Sequence, residues 1–176
     1  MAGHGERAFV VRDASEAELP ALGRLMVSVY SSLEGFPDAA EQPHYYELLA
    51  NIGRLSGQPE TRLLVAVADG ELLGGVVYFS DMARYGAGGT ATQETDASGF
   101  RLLAVDPAAR GMGVGRALAE RCIELAREHR HRHVVIHTTD AMKVAWGMYA
   151  AMGFERAPDL DFMQEELQVF GFRLRL

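Results

Sequence analysis

The sequence predicts an α/β fold of the α+β kind, with a mixed central β-sheet flanked by helices. Three features carry that prediction. Two strand-length apolar runs, Thr61–Ala68 and Glu71–Ser80, are joined by Asp69-Gly70, a dipeptide suited to the positive φ angles of a tight hairpin. From Phe100 onward the pattern becomes strand, helix, strand, helix, strand, an order that implies a crossover and a parallel step. The length, 176 residues, suits one compact domain, so residues 1–176 are read as a single unit.

The elements follow in order. Weak alternation over Phe9–Arg12 predicts a short first strand. Asp13, Ser15, Glu16 and Glu18 then supply capping groups and carboxylates, which favour a helix N-terminus. Leu22, Leu25, Met26 and Val29 continue at spacings of three and four, one apolar helix face. A less regular second helix is predicted around Pro43–Leu55, ahead of the hairpin. Met82–Ser98, with Gly86, Gly88, Gly89 and several Thr and Ser, predicts a long loop. Phe100–Val105 is a third core strand, ended by Asp106-Pro107. Val114, Leu118, Cys122 and Leu125 mark a helix running to about Arg130. His133–Thr138 reads as a buried strand, Ala141–Met152 as a helix ended by Gly153, and Val169–Leu176 as a last strand.

A hydrophobic fraction of 48% with 23% charged residues is that of a globular chain, and excludes a collagen-like or wholly disordered one. The longest apolar runs, Leu63–Ala68 and Leu72–Phe79, fall far short of the ~20 residues of a membrane span. Met1–Arg7 lacks the apolar core of a secretory signal, so a cytoplasmic location is expected. A net charge of −7 argues against nucleic acid or a membrane surface as partner. The single cysteine, Cys122, excludes an internal disulfide and falls on an apolar helix face, as a core thiol would. His129, His131 and His133 are spaced by two at a helix–strand junction, which does not gather three imidazoles on one helix face. Interaction with the helix C-terminus is the better account of them, and no metal is expected.

The most informative segment is Arg110-Gly111-Met112-Gly113-Val114-Gly115-Arg116, placed between a strand and an amphipathic helix. Glycine permits unusual backbone angles, so N–H groups converge where the helix dipole adds partial positive charge. The natural ligand is a phosphate or pyrophosphate. A P-loop is excluded because Arg116-Ala117 follows Gly115 where Lys-Ser/Thr is needed. A dinucleotide loop is excluded too, since the sixth position counted from Gly111 or Gly113 is Arg116 or Leu118.

The hexapeptide Arg110–Gly115 resembles the Arg/Gln-x-x-Gly-x-Gly/Ala motif of the GNAT (Gcn5-related) N-acetyltransferases, and Leu102–Pro107 resembles the strand leading into it. Downstream, Ala145-Trp146-Gly147-Met148-Tyr149-Ala150-Ala151-Met152-Gly153-Phe154 is similar to that family's Ala-x-x-x-Tyr-x-x-x-Gly-Phe signature. The similarity is strong over Phe100–Phe154 and weaker, through strand order, elsewhere.

The resemblance implies the GNAT fold, in which two parallel strands, here Phe100–Val105 and His133–Thr138, splay apart to admit acetyl-CoA. It implies cofactor contacts from Leu103, Ala104, Val105, Arg110, Gly111, Met112, Gly113, Val114, Gly115 and Arg116. The Leu103 N–H would face the thioester carbonyl, and Tyr149 would donate a proton to the leaving thiolate. The implied activity is acetyl transfer from acetyl-CoA to a primary amine of a small molecule or peptide, by direct attack, in a monomer or homodimer. Two departures stand out. Met142 occupies a place where the family often has asparagine, and Ser98-Gly99-Phe100-Arg101 carries no carboxylate where many members place a base. Glu94, Asp96, His137 or water remain as candidate bases. Glu34, Asp38, Glu41 and Glu47 lie in a region that often shapes the acceptor pocket, and an acidic wall there would favour a cationic amine. The competing readings are a CoA-binding sensor without catalysis, an acyltransferase for another acyl-CoA or a hydroxyl acceptor, and a partner-binding protein with an empty cleft.

Overall fold

Asp69 and Gly70 take φ angles of 51° and 77°, the pair of left-handed residues of a type I′ turn. Strand β2 (Thr61–Ala68) therefore folds straight back on β3 (Glu71–Phe79), as expected from the dipeptide. The protein is described by a computed structural model over residues 8–176; Met1–Arg7, and the reading of that segment, lie outside the described residues.

The remaining elements are β1 (Val10–Asp13), α1 (Leu19–Ser31), α2 (Pro43–Ala50), β4 (Ala97–Val105), α3 (Val114–Glu128), β5 (His133–Thr138), α4 (Lys143–Ala151), β6 (Glu155–Arg156), β7 (Phe162–Gln164) and β8 (Leu167–Arg175). The sheet runs β1-β2-β3-β4-β5-β8-β6, with β7 paired to β8. Among the described residues its one parallel pairing is β4 with β5, reached through α3. No helix among the described residues is long and apolar enough to cross a membrane.

Both faces of the sheet are covered, which is why β2 and β3 read as continuous apolar runs. On one face Leu22 and Met26 of α1, with Leu49 and Ile52, pack on Val65 and Val77. On the other, Leu118, Cys122 and Leu125 of α3 pack with Leu64, Val76, Phe100 and Ile136.

Several expected boundaries move. The stretch expected as a loop, Met82–Ser98, holds two 3-10 turns, Met82–Arg84 and Ala91–Gln93, and yields its last residues to β4. Asp81 caps the first of these turns by accepting from Ala83 N–H at 2.9 Å, so local side-chain bonding organises what composition alone marks as irregular. Ser15 and Glu18 build a 3-10 turn, Glu16–Glu18, ahead of α1, and the second helix breaks after Ala50 into another, Ile52–Leu55. Strands β6 and β7, two and three residues long, are too short for alternation to mark them in the sequence. The β7–β8 turn also lacks glycine: Glu165 supplies the positive φ, 55°.

Gly23 sets the approach of α1 to α2, since a Cβ there would lie 2.3 Å from the Ala50 carbonyl oxygen. Backbone cannot step aside as a side chain can, so Gly23→Ala is expected to cost about 1–3 kcal/mol in chemical denaturation, the usual scale of overpacking.

Candidate active site

Strand β4 leaves its neighbours at one place. Its parallel ladder to β5 ends after Gly99↔Val135. On the other side the register to β3 slips between Val77↔Arg101 and Gly75↔Ala104, with Leu102 at φ 60°. Leu102 and Leu103 therefore stand outside both ladders. The Leu103 carbonyl is engaged, accepting from the Tyr30 hydroxyl at 3.3 Å.

The parting of β4 from β5 opens a cleft of about 880 Å³. Its floor is Leu103 and Val105, one wall is the end of α1 (Val29, Tyr30) with Leu33 just beyond it, and the other is the segment Asp140–Ala145 with Met148. Its far end is the glycine segment, with Arg110, Gly111, Gly113, Val114, Gly115 and Arg116 all in the lining. Asp106 prepares that segment: its carboxylate caps the 3-10 turn Pro107–Ala109 by accepting from Ala108 N–H at 2.9 Å. Gly111 and Gly113 then take φ of 82° and 78°, and a Cβ at either would meet nothing within 4 Å. Conformation, rather than crowding, requires glycine there. No side chain caps α3, so the first N–H groups of the helix lack intrahelical partners where the dipole is positive.

Of the ten residues expected to hold the cofactor, Ala104 and Met112 line neither this cleft nor the pocket below it. Ala104, 2% exposed, belongs to the core beneath α1, because β4 turns alternate side chains to opposite faces. Met112 packs against the core beneath α3 instead. Lys143, which the sequence reading does not single out as a site residue, joins Arg110 and Arg116 in the cleft lining, as do Glu34 and Asp140.

A smaller pocket of about 90 Å³ continues from the cleft past Tyr30, Leu103, Met142 and Ala145, which line both. Tyr149 lies in its wall, 5% exposed, and burial pushes its hydroxyl pKa well above the ordinary value, so it holds its proton. Phe100 and Phe154 meet its ring edge-on at 5.9 and 5.6 Å. The pocket also contains Arg101, Thr138 and Thr139, which come from separate positions on β4, β5 and the loop after it. No single segment could have announced that grouping.

A family model described as the acetyltransferase (GNAT) family matches residues 26–154, most of the chain. The chain belongs to the GNAT acetyltransferase family. The fold agrees: a GNAT-family acetyltransferase from Staphylococcus aureus Mu50 is 16% identical with a TM-score of 0.73, covering 96% of this chain and 99% of that one. A GCN5-related N-acetyltransferase from Kribbella flavida is 23% identical, TM-score 0.69, covering 96% and 98%. The PaiA N-acetyltransferase from Thermoplasma acidophilum, solved in complex with coenzyme A, is 12% identical, TM-score 0.70, covering 93% and 98%. A comparison with curated proteins finds no match.

Within this GNAT fold the candidate bases are otherwise occupied. Glu94 pairs with Arg173, and Asp96 with Arg132 at 3.1 Å, both outside the pocket lining. His137 does line the pocket, but its Nε2–H donates to the Leu160 carbonyl at 2.8 Å, leaving Nδ1 to accept from the Tyr85 hydroxyl at 2.9 Å. Neither nitrogen keeps a lone pair for an incoming amine. The expected acidic wall is absent from the pocket as well. Only Glu34 of that group reaches even the outer cleft, while Asp38 and Glu41 accept hydrogen bonds from each other's backbone N–H at 2.9 Å. Cys122 is fully buried and lines neither cavity. His129 Nδ1 lies 2.8 Å from the Leu125 carbonyl in the last turn of α3, the helix-terminal role expected of it, and His131 Nδ1 lies 2.6 Å from Ser98 Oγ.

Burial, first of all, lowers the pKa of His137 below the ordinary 6.5. The unfolded chain takes up this proton near 6.5 and the fold does not, so the stabilisation is complete above that pH and is lost as pH falls through the folded value. Histidine ring NMR should give His137 a midpoint below 6.5. Melting temperature should fall between about pH 7.5 and about pH 5.5, less steeply in His137→Gln.

Proposed function

We propose that this protein is an acetyl-CoA-dependent N-acetyltransferase that acts on a primary amine of a small molecule or peptide by direct attack. The observation that carries the reading is the open slot where β4 parts from β5, running into an uncapped helix start built on Gly111 and Gly113. That combination matches a long ligand with a backbone-pairing arm and a diphosphate. On this reading Gly111, Gly113, Val114, Gly115 and Arg116 hold the diphosphate, with Arg110 and Lys143 at the mouth. Leu103 and Val105 lie along the arm. Ala104 and Met112 contribute packing instead.

When bound, acetyl-CoA supplies the acetyl group as a thioester. The amine nitrogen forms a bond to the acetyl carbon as the carbon–sulfur bond breaks. Negative charge develops on the carbonyl oxygen, and the Leu103 N–H, free of both ladders, is the donor assigned to it. Tyr149 donates its proton to the departing sulfur, and the proton given up by the amine restores it, directly or through water. The pocket lining has no carboxylate, so the amine enters neutral and the surplus proton of its ammonium form stays in bulk water.

Coenzyme A should raise the melting temperature of the protein. Gly113→Asp should abolish most of that shift and weaken binding at least ~10-fold by calorimetry, because it places a side chain at positive φ and a negative charge beside the diphosphate. No shift with the unaltered protein would remove the reading. Tyr149→Phe should lower kcat for amine-dependent CoA release by roughly 10²-fold while leaving the coenzyme A shift in place. Unchanged turnover would make Tyr149 a packing residue.

A further inference from the structure

We propose that the acetylated amine carries a carboxylate, and that Arg101 is the residue in the inner pocket that reads it. The acceptor class is then a small amino acid or a short amino-carboxylate. This rests on the acetyl-transfer reading and narrows it to one substrate class.

Among the residues lining the pocket, Arg101 is the one fixed charge; no aspartate or glutamate is present, and His137 is a neutral ring with both nitrogens engaged. The Arg101 guanidinium is half-buried and anchored on one side only, donating to the Tyr85 carbonyl at 2.9 Å with its carbon 5.6 Å from the Tyr85 ring centre. It forms no ion pair among the described residues. Every other described arginine is either exposed at the surface or paired with a carboxylate, as Arg62 is with Asp13, Arg121 with Glu124 and Arg173 with Glu94. A guanidinium that has lost part of its water without gaining a counter-charge favours a ligand that brings one, and its planar fork matches a carboxylate with two parallel hydrogen bonds. The field of Arg101 extends over the pocket: at Tyr30, Tyr45 and Tyr85 it opposes the rise in pKa that burial causes, and at His137 it adds to the fall.

A second observation is independent of the first. Thr138 and Thr139 are 3% and 4% exposed, line the same pocket, and have side-chain oxygens without a hydrogen-bond partner. Buried hydroxyls are rarely left so. A ligand with an amine at one end and a carboxylate at the other supplies both a donor and an acceptor to them. The volume, about 90 Å³, has room for roughly six to nine water-sized groups, the size of a short amino acid. Phe36, Tyr45 and Phe162 give its side chain an apolar surround. Arg101 and Leu103 sit two positions apart on β4, so a carboxylate held by the first leaves the amine near the second.

The test has two arms. In the first, CoA release from acetyl-CoA is measured with L-alanine, L-valine and L-methionine and with their carboxamides. The acids should exceed the amides at least ~10-fold in kcat/KM, the scale of one charge-assisted pair, and Arg101→Met should bring that ratio near one by raising KM for the acids. Arg101→Lys should restore part of it, and melting temperatures close to the parent show that both variants fold. In the second arm, calorimetry compares N-acetyl-L-methionine with its amide on the CoA-loaded protein. The acid should bind more tightly, and the difference should vanish in Arg101→Met. Acid and amide that turn over equally, a preference for a diamine, or acid and amide that bind alike each overturn the proposal. If no amine releases CoA, the transfer reading falls, and the calorimetric arm still decides the role of Arg101.

Discussion

A strand that loses its neighbour leaves N–H and C=O groups in need of partners, and the functional half of this protein is organised around one such place. Strand β4 pairs with β5 over three residues and then departs, while a bulge at Leu102 frees it from β3 as well. An unpaired backbone group buried away from water costs as much as a lost hydrogen bond. The fold tolerates the opening because water or a ligand can reach it. The same logic holds at the next step along the chain, where α3 starts without a side-chain cap. The opening in the sheet and the helix start without a side-chain cap thus face one continuous cleft. The rest of the molecule, with both faces of the sheet buried under helices, is the rigid support that holds them open.

The chemistry that this support presents is selective. In the outer cleft, three cations and two carboxylates share the lining, so a chain of net charge −7 still offers a mixed surface there. At the inner end, burial keeps Tyr149 protonated, which suits a donor and not a base. The side chains that could accept a proton are tied elsewhere: Glu94 and Asp96 to arginines, His137 to Leu160 and Tyr85. What remains charged in the pocket is Arg101, on the strand where many relatives were expected to carry a glutamate.

Legibility differed between the parts of the site. Backbone-built features were visible in the sequence because they depend on local rules. Gly111 and Gly113 are where φ is positive, Asp106-Pro107 is where β4 stops, and Asp69-Gly70 is where the hairpin turns. Short elements and turns without glycine were not visible, as β6, β7 and the Glu165 turn show. The long glycine-rich segment is a loop up to Asp96, but composition does not reveal that Asp81 caps a turn within it or that β4 starts at Ala97.

The sequence by itself determined the order of the longer strands and helices, the position of the glycine turn and the family to which both motifs belong. Each of these follows from residues within one turn or one strand of each other. Only the tertiary structure decided which side chains share the inner pocket. Arg101, Thr138, Thr139 and Tyr149 come from β4, β5, its following loop and α4, and they converge because a bulge and a parting of strands redirect them. It also decided that the acidic residues Asp38, Glu41 and Glu47 lie outside the lining of that pocket. Charge can be counted along a chain, but the partner that neutralises it, or the absence of one, is a property of three dimensions.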